Sequence, residues 1–445
     1  MARRLTDRLF GRSRRALGGT AGSRAPDKGD GRDRFAEYRD LNGPRLVGGP
    51  TPRRSAQPDG EGRVVVLMPH LSVGRMSGGP NTILQVTARL ATHGLPLRYV
   101  AAFGPLDADE QGLRDHIRAV TGVEADRDRI EFVDASADGA TFAVGPNDVL
   151  VATWWPTAHV ANAALDLVGA DAFVYLIQDY EPGFHPWSTK HALAEATYAM
   201  PIRAVVNEST LLEHLRTVPH GGLADATPTV AFMPAVDRRV FAPRLDRVAL
   251  PRDRVASGAS SRRLAFYARP KNPRNLFDLG LVALRTAVER RVFDGGDWEF
   301  AAIGQDLPDL ELSDRHMLRA VPWLDYEAYG RLLGEADLLL SLMLSPHTSY
   351  PPLEMAATGG RVVTNTFGAK TAEALAAISP AIHGVEPTVD ALVDALADAV
   401  RSIETGAGVD GNDGGASTLP GSWDEALSQV TPWLIDTVHA LRSGR

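Results

Sequence analysis

The sequence predicts an α/β protein of two doubly wound, Rossmann-like domains that face one another across a cleft. Twice along its 445 residues, short apolar runs alternate with helix-like or loop segments, and this alternation is typical of parallel sheets covered by helices. A stretch at 246–261 that contains Pro251, Gly258 and three serines separates the two series and is predicted to be a linker. Ligands of such folds bind between the carboxyl ends of the strands.

The first predicted domain covers residues 61–245 and opens with a strand. An apolar, β-branched run from Val64 to Met68 is followed by a glycine-rich loop and by a helical pattern from Thr82 to His93. Runs of this kind are typical of buried parallel strands. Further strands of this domain are predicted at 97–103, 148–153, 172–178 and 203–207.

The second predicted domain covers residues 262–420 and repeats the alternation of strands and helices. This repetition indicates a second parallel sheet. Its strands are predicted at 264–268, 298–303, 317–321, 337–344 and 361–364, and its helices at 275–290, 326–336 and 388–403.

The C-terminal segment, residues 421–445, contains a last predicted helix from Trp423 to Arg442. Its apolar side chains include Trp433 and Leu434, and no neighbouring segment is left to cover them. We therefore expect this helix to pack back against the first domain.

The composition is that of a globular protein without disulfides. Hydrophobic residues make up 44% and charged residues 23% of the chain, which is enough apolar material for substantial cores. Cysteine is absent, which excludes a disulfide framework, a thiolate nucleophile and cysteine-ligated metal clusters. No run reaches the roughly 18 apolar residues that span a bilayer, and the N-terminus has no apolar leader core. The sequence therefore predicts a cytoplasmic protein, with the inner face of the membrane as the alternative.

Residues 1–60 are predicted to be a basic, flexible N-terminal extension. They hold 14 Lys and Arg against 7 Asp and Glu, whereas the whole chain has a net charge of -8, so the remainder is acidic. An acidic body argues against a nucleic-acid partner. Over residues 1–20, arginines alternate with Leu and Phe. This basic amphipathic pattern either contacts an anionic membrane surface or belongs to a solvated tail.

The strongest local signal lies at 345–364. A predicted strand ends there, a loop of small residues and prolines follows, and Glu354 stands in the first turns of a helix. Loop amides and a helix N-terminus together bind anions. A carboxylate beside them can accept hydrogen bonds from the ribose of a nucleotide whose phosphates lie on those amides. The alternative is an exposed glutamate that the helix dipole favours.

Four segments resemble the signatures of glycosyltransferase family four, in the order and spacing of that family. They are Gly78-Gly79-Pro80 and the segments 233–243, 267–275 and 345–364. The resemblance covers about residues 61–440 and implies a GT-B fold with a nucleotide-sugar donor as substrate. The segments 178–182 and 345–352 are similar to the WsaF-type rhamnosyltransferase branch, which implies dTDP-L-rhamnose as the donor.

One departure from the family pattern concerns recognition of the donor sugar. The family has a pair of glutamates eight positions apart, but Pro346 stands eight positions before Glu354. The resemblance therefore implies that His347, Thr348 and nearby loop amides recognise the sugar.

A second departure lies at Gln178 and Asp179, where the family commonly has His-Asp beside the reacting carbon. A glutamine cannot shuttle a proton. The resemblance implies a retaining reaction in which the leaving phosphate takes the acceptor's proton. Gln178 would then position substrate, and Asp179 would bind the acceptor or act as a base.

Arg269 and Lys271 follow a predicted strand at the carboxyl edge of the second domain. Departure of the leaving group from a sugar nucleotide develops negative charge on the diphosphate, and enzymes without a metal neutralise it with fixed cations. We predict that these two side chains clamp the diphosphate, with a solvated basic turn as the alternative. The predicted strand ends carry no motif typical of a divalent cation site, so we expect no metal and no cofactor besides the donor substrate.

Aromatic side chains are predicted on both sides of the cleft. Trp323 either packs on the nucleobase or belongs to the core. Trp154 and Trp155 follow a predicted strand and suit a carbohydrate face, with interdomain packing as the alternative. Together with Tyr180 and Glu181 they form the predicted acceptor side. The predicted donor side comprises Gly78, Gly79, Trp323, His347, Thr348, Ser349, Tyr350 and Glu354.

The sequence leaves three hypotheses about function. The first is a metal-independent, retaining glycosyltransferase that moves a deoxysugar, L-rhamnose, from a dTDP donor to a cell-surface glycan or a lipid-linked saccharide. The second is another GT-B enzyme that uses a UDP- or GDP-sugar or epimerises a sugar nucleotide. The third is a non-catalytic sugar-binding protein on the same fold. Stabilisation by dTDP, UDP or GDP separates the first two, and stabilisation by none of them favours the third.

Overall fold

The computed structural model describes residues 47–56, 62–76, 78–242, 262–406 and 418–443. Within them, two seven-stranded sheets each lie between two apolar cores. This is the predicted architecture of two doubly wound domains. The basic segment 1–20 and the predicted linker 246–261 lie outside the described residues.

The first domain is built on a parallel sheet. Its strands are β1 (Thr51–Arg54), β2 (Val64–Met68), β3 (Leu97–Ala101), β4 (Ile130–Asp134), β5 (Thr141–Val144), β6 (Val149–Ala152), β7 (Phe173–Ile177), β8 (Ile202–Asn207) and β9 (Thr229–Phe232). Its helices are α1 (Gly78–Thr92), α2 (Glu110–Thr121), α3 (Trp155–Val168), α4 (Thr189–Ala196) and α5 (Ser209–Thr217). The main sheet has the order β4-β3-β2-β6-β7-β8-β9, and all its pairs are parallel. The order reverses between β2 and β6, which is the switch point where such sheets bind ligands.

The second domain repeats this topology. Its strands are β10 (Arg262–Tyr267), β11 (Trp298–Ile303), β12 (Leu310–Glu311), β13 (Met317–Ala320), β14 (Leu338–Leu340), β15 (Arg361–Asn365) and β16 (Ile382–Val385). Its helices are α6 (Phe277–Glu289), α7 (Tyr326–Glu335), α8 (Tyr350–Ala357), α9 (Ala372–Ile378) and α10 (Val389–Thr405). The sheet has the order β12-β13-β11-β10-β14-β15-β16, in which the β12–β13 pair is antiparallel. Its switch point lies between β10 and β14.

The central strands form because they are apolar on both faces. All five residues of β2 and all three residues of β14 are buried, as expected of parallel strands that helices cover on both sides. The outer strand β4 is half-exposed over most of its length, and so is β9. The sequence does not predict these outer strands, because half-exposed strands lack the continuous apolar run that marks the central ones.

Residues 47–56 belong to the first domain instead of a flexible extension. Within them, β1 pairs in parallel with β5. Gly49 has a φ of +107°, and a Cβ at this position would come within 2.5 Å of the Phe103 ring. The prediction for residues 1–60 is therefore wrong at this point. A polar strand rich in Pro and Arg that pairs with a distant segment gives no signal in the local sequence.

The C-terminal segment returns to the first domain, as the sequence predicts. It contains two helices, α11 (Trp423–Ala426) and α12 (Val430–Ser443). The predicted single helix is interrupted because Pro432 is tolerated only in the first turn of a helix. Leu434 and Leu441 of α12 are buried in the same apolar core as β2.

Candidate active site

Segments that follow the central strands of both sheets meet at one polar interface between the two domains. Residues after β7 and β8 contact residues after β10 and β14. Burying polar groups is costly unless they are hydrogen bonded or paired, so an interface of this composition needs a functional or structural reason. Its buried polar members include Asp179, Asn207, Glu208, Ser345, His347, Thr348, Glu354 and Lys370.

Asp179 joins the two domains through an arginine that the sequence analysis does not single out. Its carboxylate forms an ion pair with Arg274 and accepts a hydrogen bond from the Ser345 hydroxyl. The central carbon of the Arg274 guanidinium lies 4.4 Å from the centroid of the Phe184 ring. Burial lowers the pKa of Arg274 to about 10, so this side chain is still charged at neutral pH. Asp179, predicted to bind the acceptor or act as a base, is thus held by a cation.

The backbone around Arg274 is fixed by the residues on either side of it. Pro273 begins a short 3-10 helix, Pro273–Asn275. The buried Asn275 side chain donates a hydrogen bond of 3.1 Å to the Leu342 carbonyl. A third cation shortly after β10, flanked by a proline and an asparagine, is the sequence signal that marks this position.

The two predicted cations of the clamp differ in their surroundings. Arg269 is half-buried, and its Nη1 donates to the Tyr267 hydroxyl at 3.3 Å. Gly304 has a φ of +103°, and a Cβ there would lie 2.8 Å from the Tyr267 ring, so a glycine is required beside this pair. Lys271 is exposed, and its side chain has no ion pair among the described residues. The structure therefore orients Arg269 but not Lys271.

Glu354 lies in α8 and is only 7% exposed, which removes the alternative of an exposed glutamate. It accepts a hydrogen bond of 2.9 Å from the Tyr329 hydroxyl. Three further tyrosine hydroxyls have pKa values that burial and the nearby Glu354 carboxylate both raise. They are those of Tyr267, Tyr326 and Tyr350. Burial raises the pKa of Glu354 itself to about 7, so it changes charge near neutral pH.

The loop before α8 is held by hydrogen bonds within the protein. The His347 amide donates to the Ser345 hydroxyl at 3.1 Å, and the Ser349 amide donates to His347 Nδ1 at 2.8 Å. The Thr348 amide donates to the Glu208 carboxylate of the first domain at 2.6 Å. These amides, predicted to hold phosphate, donate to protein groups instead. These three amides are therefore already engaged by protein groups.

The glycine pair at the start of α1 leaves room for two side chains of the interface. A Cβ on Gly78 would lie 3.2 Å from the Tyr350 ring, and one on Gly79 would lie 3.7 Å from the Gln178 amide oxygen. The Tyr350 hydroxyl contacts the Thr82 hydroxyl of α1. Gln178 Oε1 is buried and has no hydrogen-bond partner in the part of the chain that the structure describes. The glycine-rich loop and α8 therefore meet across the interface.

Trp155 and Glu181, predicted on the acceptor side, lie in the interior of the first domain. Trp155 is 4% exposed, and its amide donates to the Glu181 carboxylate at 2.5 Å. The Tyr175 hydroxyl donates to the same carboxylate at 3.0 Å. Burial raises the pKa of Glu181 to about 8. These contacts fix the turn after β7 against α3, and neither side chain is free to meet a saccharide.

Trp154, Tyr180 and Trp323 are accessible to different degrees. Trp154 is half-buried and lies edge-on to Phe103, with 5.4 Å between the ring centroids. Tyr180 is half-buried and stacks on Tyr198 at 6.2 Å. Trp323 is 70% exposed, which removes core packing as its alternative. Packing of Trp323 on a nucleobase stays a prediction.

Two basic side chains of the interface are buried. Burial lowers the pKa of His347, which is therefore neutral at physiological pH. Lys370 is fully buried, and its Nζ donates to the Met343 carbonyl at 2.8 Å. Burial lowers the pKa of Lys370 to about 7. Nothing in the sequence marks Lys370 as a site residue, because a lysine in a loop is usually solvated.

The acidic side chains of the interface pair with arginine, tyrosine and backbone groups. Over the described ranges, no group of three or more His, Cys, Asp and Glu is arranged to hold a metal ion.

None of the helices described above has the length and apolar character needed to cross a membrane.

The chain is similar in sequence to two domain models and to one bacterial protein. The N-terminal domain model of WsaF matches residues 63–209, and the C-terminal domain model of WsaF matches residues 262–397. The chain is 33% identical over 290 residues to the O-antigen biosynthesis protein RfbC of Myxococcus xanthus. That stretch is 65% of this chain and 21% of the Myxococcus protein, so the chain spans about a fifth of the length of the curated relative it matches.

Solved structures confirm the predicted GT-B fold. Sucrose-phosphate synthase from Thermosynechococcus elongatus has a TM-score of 0.54 at 13% identity, over 86% of this chain and 100% of that structure. Anabaena Alr3699/HepE in complex with UDP has a TM-score of 0.56 at 13% identity, over 85% of this chain and 100% of that structure. At such identities the likeness concerns the fold alone.

Proposed function

We propose that this chain, which belongs to the WsaF family by its match to both domain models of that family, transfers a sugar from a nucleotide donor in the synthesis of a cell-surface polysaccharide. The relative named for O-antigen biosynthesis supports this pathway class, and the UDP complex of the Anabaena structure supports a nucleotide as the ligand. The observation that carries the proposal is the position of Arg269, Arg274 and buried Glu354. They follow β10 and β14, the two strands that flank the switch point of the second sheet.

The two arginines suit the charge that develops during transfer. As the bond between the anomeric carbon and the diphosphate oxygen breaks, the electron pair goes to the diphosphate, and a preorganised guanidinium stabilises it. Arg269 is oriented by Tyr267, and Arg274 is held by Asp179. A bound diphosphate would compete with Asp179 for Arg274 and release the carboxylate toward the acceptor. Lys271, exposed beside them, is a mobile third cation in this proposal.

Glu354 suits the ribose. A carboxylate accepts hydrogen bonds from two neighbouring hydroxyls, and its position one helical turn after Tyr350 brings it beside the interface. We place the nucleobase toward exposed Trp323 and the sugar toward His347 and Thr348.

The finer assignment is a dTDP-L-rhamnose donor, a retaining, metal-independent reaction, and a glycan or lipid-linked saccharide as acceptor. Resemblance to the WsaF-type branch supports the donor. In a retaining reaction the leaving phosphate takes the acceptor's proton, which agrees with a first domain that has Gln178 where a proton-shuttling side chain would otherwise stand. A UDP-sugar is the alternative donor, because the Anabaena structures were solved with UDP and with UDP-glucose.

Nucleotides should raise the melting temperature of the full chain, and dTDP should do so more than UDP or GDP. A ligand at a hundred times its Kd adds about 2.7 kcal/mol to the free energy of unfolding, which is a shift of several degrees. Differential scanning fluorimetry with millimolar dTDP, UDP and GDP measures the order. A larger shift with UDP replaces the donor assignment, whereas no shift with any of the three contradicts the proposed function and favours a non-catalytic protein.

A further inference from the structure

Glu208 is a fully buried carboxylate at the end of β8, on the first-domain side of the interface. Its Oε2 accepts hydrogen bonds from the Thr348 amide at 2.6 Å and from the Thr210 hydroxyl at 3.2 Å. The same oxygen lies 3.9 Å from His347 Nδ1. One carboxylate oxygen of Glu208 is thus fixed by contacts from both domains.

Three polar side-chain atoms at and beside Glu208 lack hydrogen-bond partners in the described part of the chain. Glu208 Oε1, His347 Nε2 and Thr348 Oγ1 are buried and have no hydrogen-bond partner within the described residues. The three residues are 0%, 4% and 1% exposed. Buried polar atoms in folded proteins are nearly always hydrogen bonded. Three unpartnered polar atoms on residues that contact one another therefore indicate a polar ligand.

The backbone at this place is strained on both sides of the interface. Glu208 has a φ of 90° and Ser349 has a φ of 78°, and each residue stands directly before a helix. Non-glycine residues in this region persist only where the surroundings hold them there, and they cluster at ligand sites. Thr348, the partner of Glu208, is the neighbour of Ser349, so the two strained positions are brought together by the Glu208–Thr348 hydrogen bond.

A buried lysine lies near this carboxylate. Lys370 Nζ donates to the Met343 carbonyl, and the nearby Glu208 carboxylate raises the pKa of Lys370 against the effect of burial. Glu208 and Lys370 therefore influence one another at a place where neither side chain reaches solvent.

We propose that Glu208 is a specificity-determining residue that hydrogen bonds hydroxyl groups of the transferred sugar, together with His347 and Thr348. This inference rests on the proposed function. The Glu208 carboxylate oxygen accepts and the Thr348 hydroxyl donates or accepts. Because Nδ1 of the neutral His347 accepts from the Ser349 amide, its Nε2 carries the proton and donates. Such a mixed set matches neighbouring sugar hydroxyls, which both donate and accept. Glu208 comes from the first domain and the other two come from the second. The transferred sugar would therefore contact both domains through these three side chains.

The test compares two ligands that differ only in the sugar. Isothermal titration calorimetry with the full chain measures the Kd of dTDP and of dTDP-L-rhamnose, or of UDP and UDP-glucose if UDP gives the larger thermal shift. In Glu208→Gln we expect the Kd of the nucleotide-sugar to rise about tenfold or more, as for loss of a charged hydrogen bond, while the Kd of the free nucleotide stays within about twofold. Glu213→Gln, which changes an exposed glutamate on α5, the helix that directly follows Glu208, is the matched control and should change neither Kd.

Thr348→Val is the second variant, because it removes an unpartnered hydroxyl and keeps the amide that binds Glu208. It should raise the Kd of the nucleotide-sugar more than the Kd of the free nucleotide. This variant still tests the proposal if Glu208→Gln does not fold. The proposal is overturned if both variants bind the two ligands in the wild-type ratio, or if the wild-type chain gains nothing from the sugar. Wild-type protein that binds neither ligand contradicts the proposed function itself, which is a distinguishable result.

Discussion

Replacing Arg274 or Arg269 with Ala should lower turnover of the nucleotide-sugar donor by about a hundredfold or more for each residue. Removing one preorganised group that stabilises developing charge costs on the order of 10²–10³ in rate. Steady-state kinetics over a range of donor concentrations measure the loss, which should appear in kcat and in kcat/KM alike because the charge exists mainly in the transition state. Lys271→Ala should cost less than about tenfold, since its side chain is exposed and unoriented.

Two controls separate this effect from misfolding. Arg290→Ala removes an exposed arginine of the same domain that pairs with Asp390 at 2.6 Å, and it should leave turnover unchanged. The melting temperature of Arg274→Ala reports whether loss of its ion pair with Asp179 unsettles the closed interface. Wild-type turnover in both Arg269→Ala and Arg274→Ala would reject a role for these two arginines in binding the diphosphate.

Replacing Glu354 with Gln should weaken nucleotide binding by about 1–3 kcal/mol and remove part of its pH dependence. Because burial raises the pKa of Glu354 to about 7, the carboxylate is mostly protonated at pH 6 and mostly ionised at pH 8. The ionised carboxylate of Glu354 accepts hydrogen bonds from ribose hydroxyls better than the protonated form does. Wild-type affinity should therefore fall as the pH is lowered through about 7, beyond any fall seen in Glu354→Gln, because the surrounding tyrosine hydroxyls do not titrate in this range.

Calorimetry at pH 6, 7 and 8 on the wild type and on Glu354→Gln measures this difference. The nucleotide's own phosphate titrates near pH 6, but it does so equally for both proteins and cancels in the comparison. Glu327→Gln, an exposed glutamate on α7, serves as the matched control. Parallel pH profiles for Glu354→Gln and the wild type would move the ribose contact to another residue.

The fold was accessible from the sequence because the central strands are continuous apolar runs between helices. The run from Val64 to Met68 and the run that includes Leu338–Leu340 needed no tertiary information, since burial on both faces selects apolar residues at every position. The strand β1 could not be predicted from the sequence. Thr51–Arg54 is a polar segment, and it forms a strand by pairing with the distant β5.

The site was predictable where residue type and position both point to chemistry. Arg269 is a charged residue shortly after a strand, and Glu354 is one in the first turns of the helix after another strand. The structure orients the first and buries the second. Arg274 and Glu208 were missed because their roles depend on contacts across the two domains, which no local spacing encodes. The prediction that Glu181 lies on the acceptor side was wrong, because a glutamate after a strand gives no sign that its carboxylate turns inward to the Trp155 amide.

The proposed function requires a nucleotide-sugar that binds between the two domains at the switch point of the second sheet. A crystal structure with dTDP and with the intact donor tests this most directly. We expect the diphosphate on Arg269 and Arg274, the ribose on Glu354, and the sugar hydroxyls within hydrogen-bond distance of Glu208. Density for the nucleotide away from the carboxyl ends of β10 and β14 would contradict the proposed function.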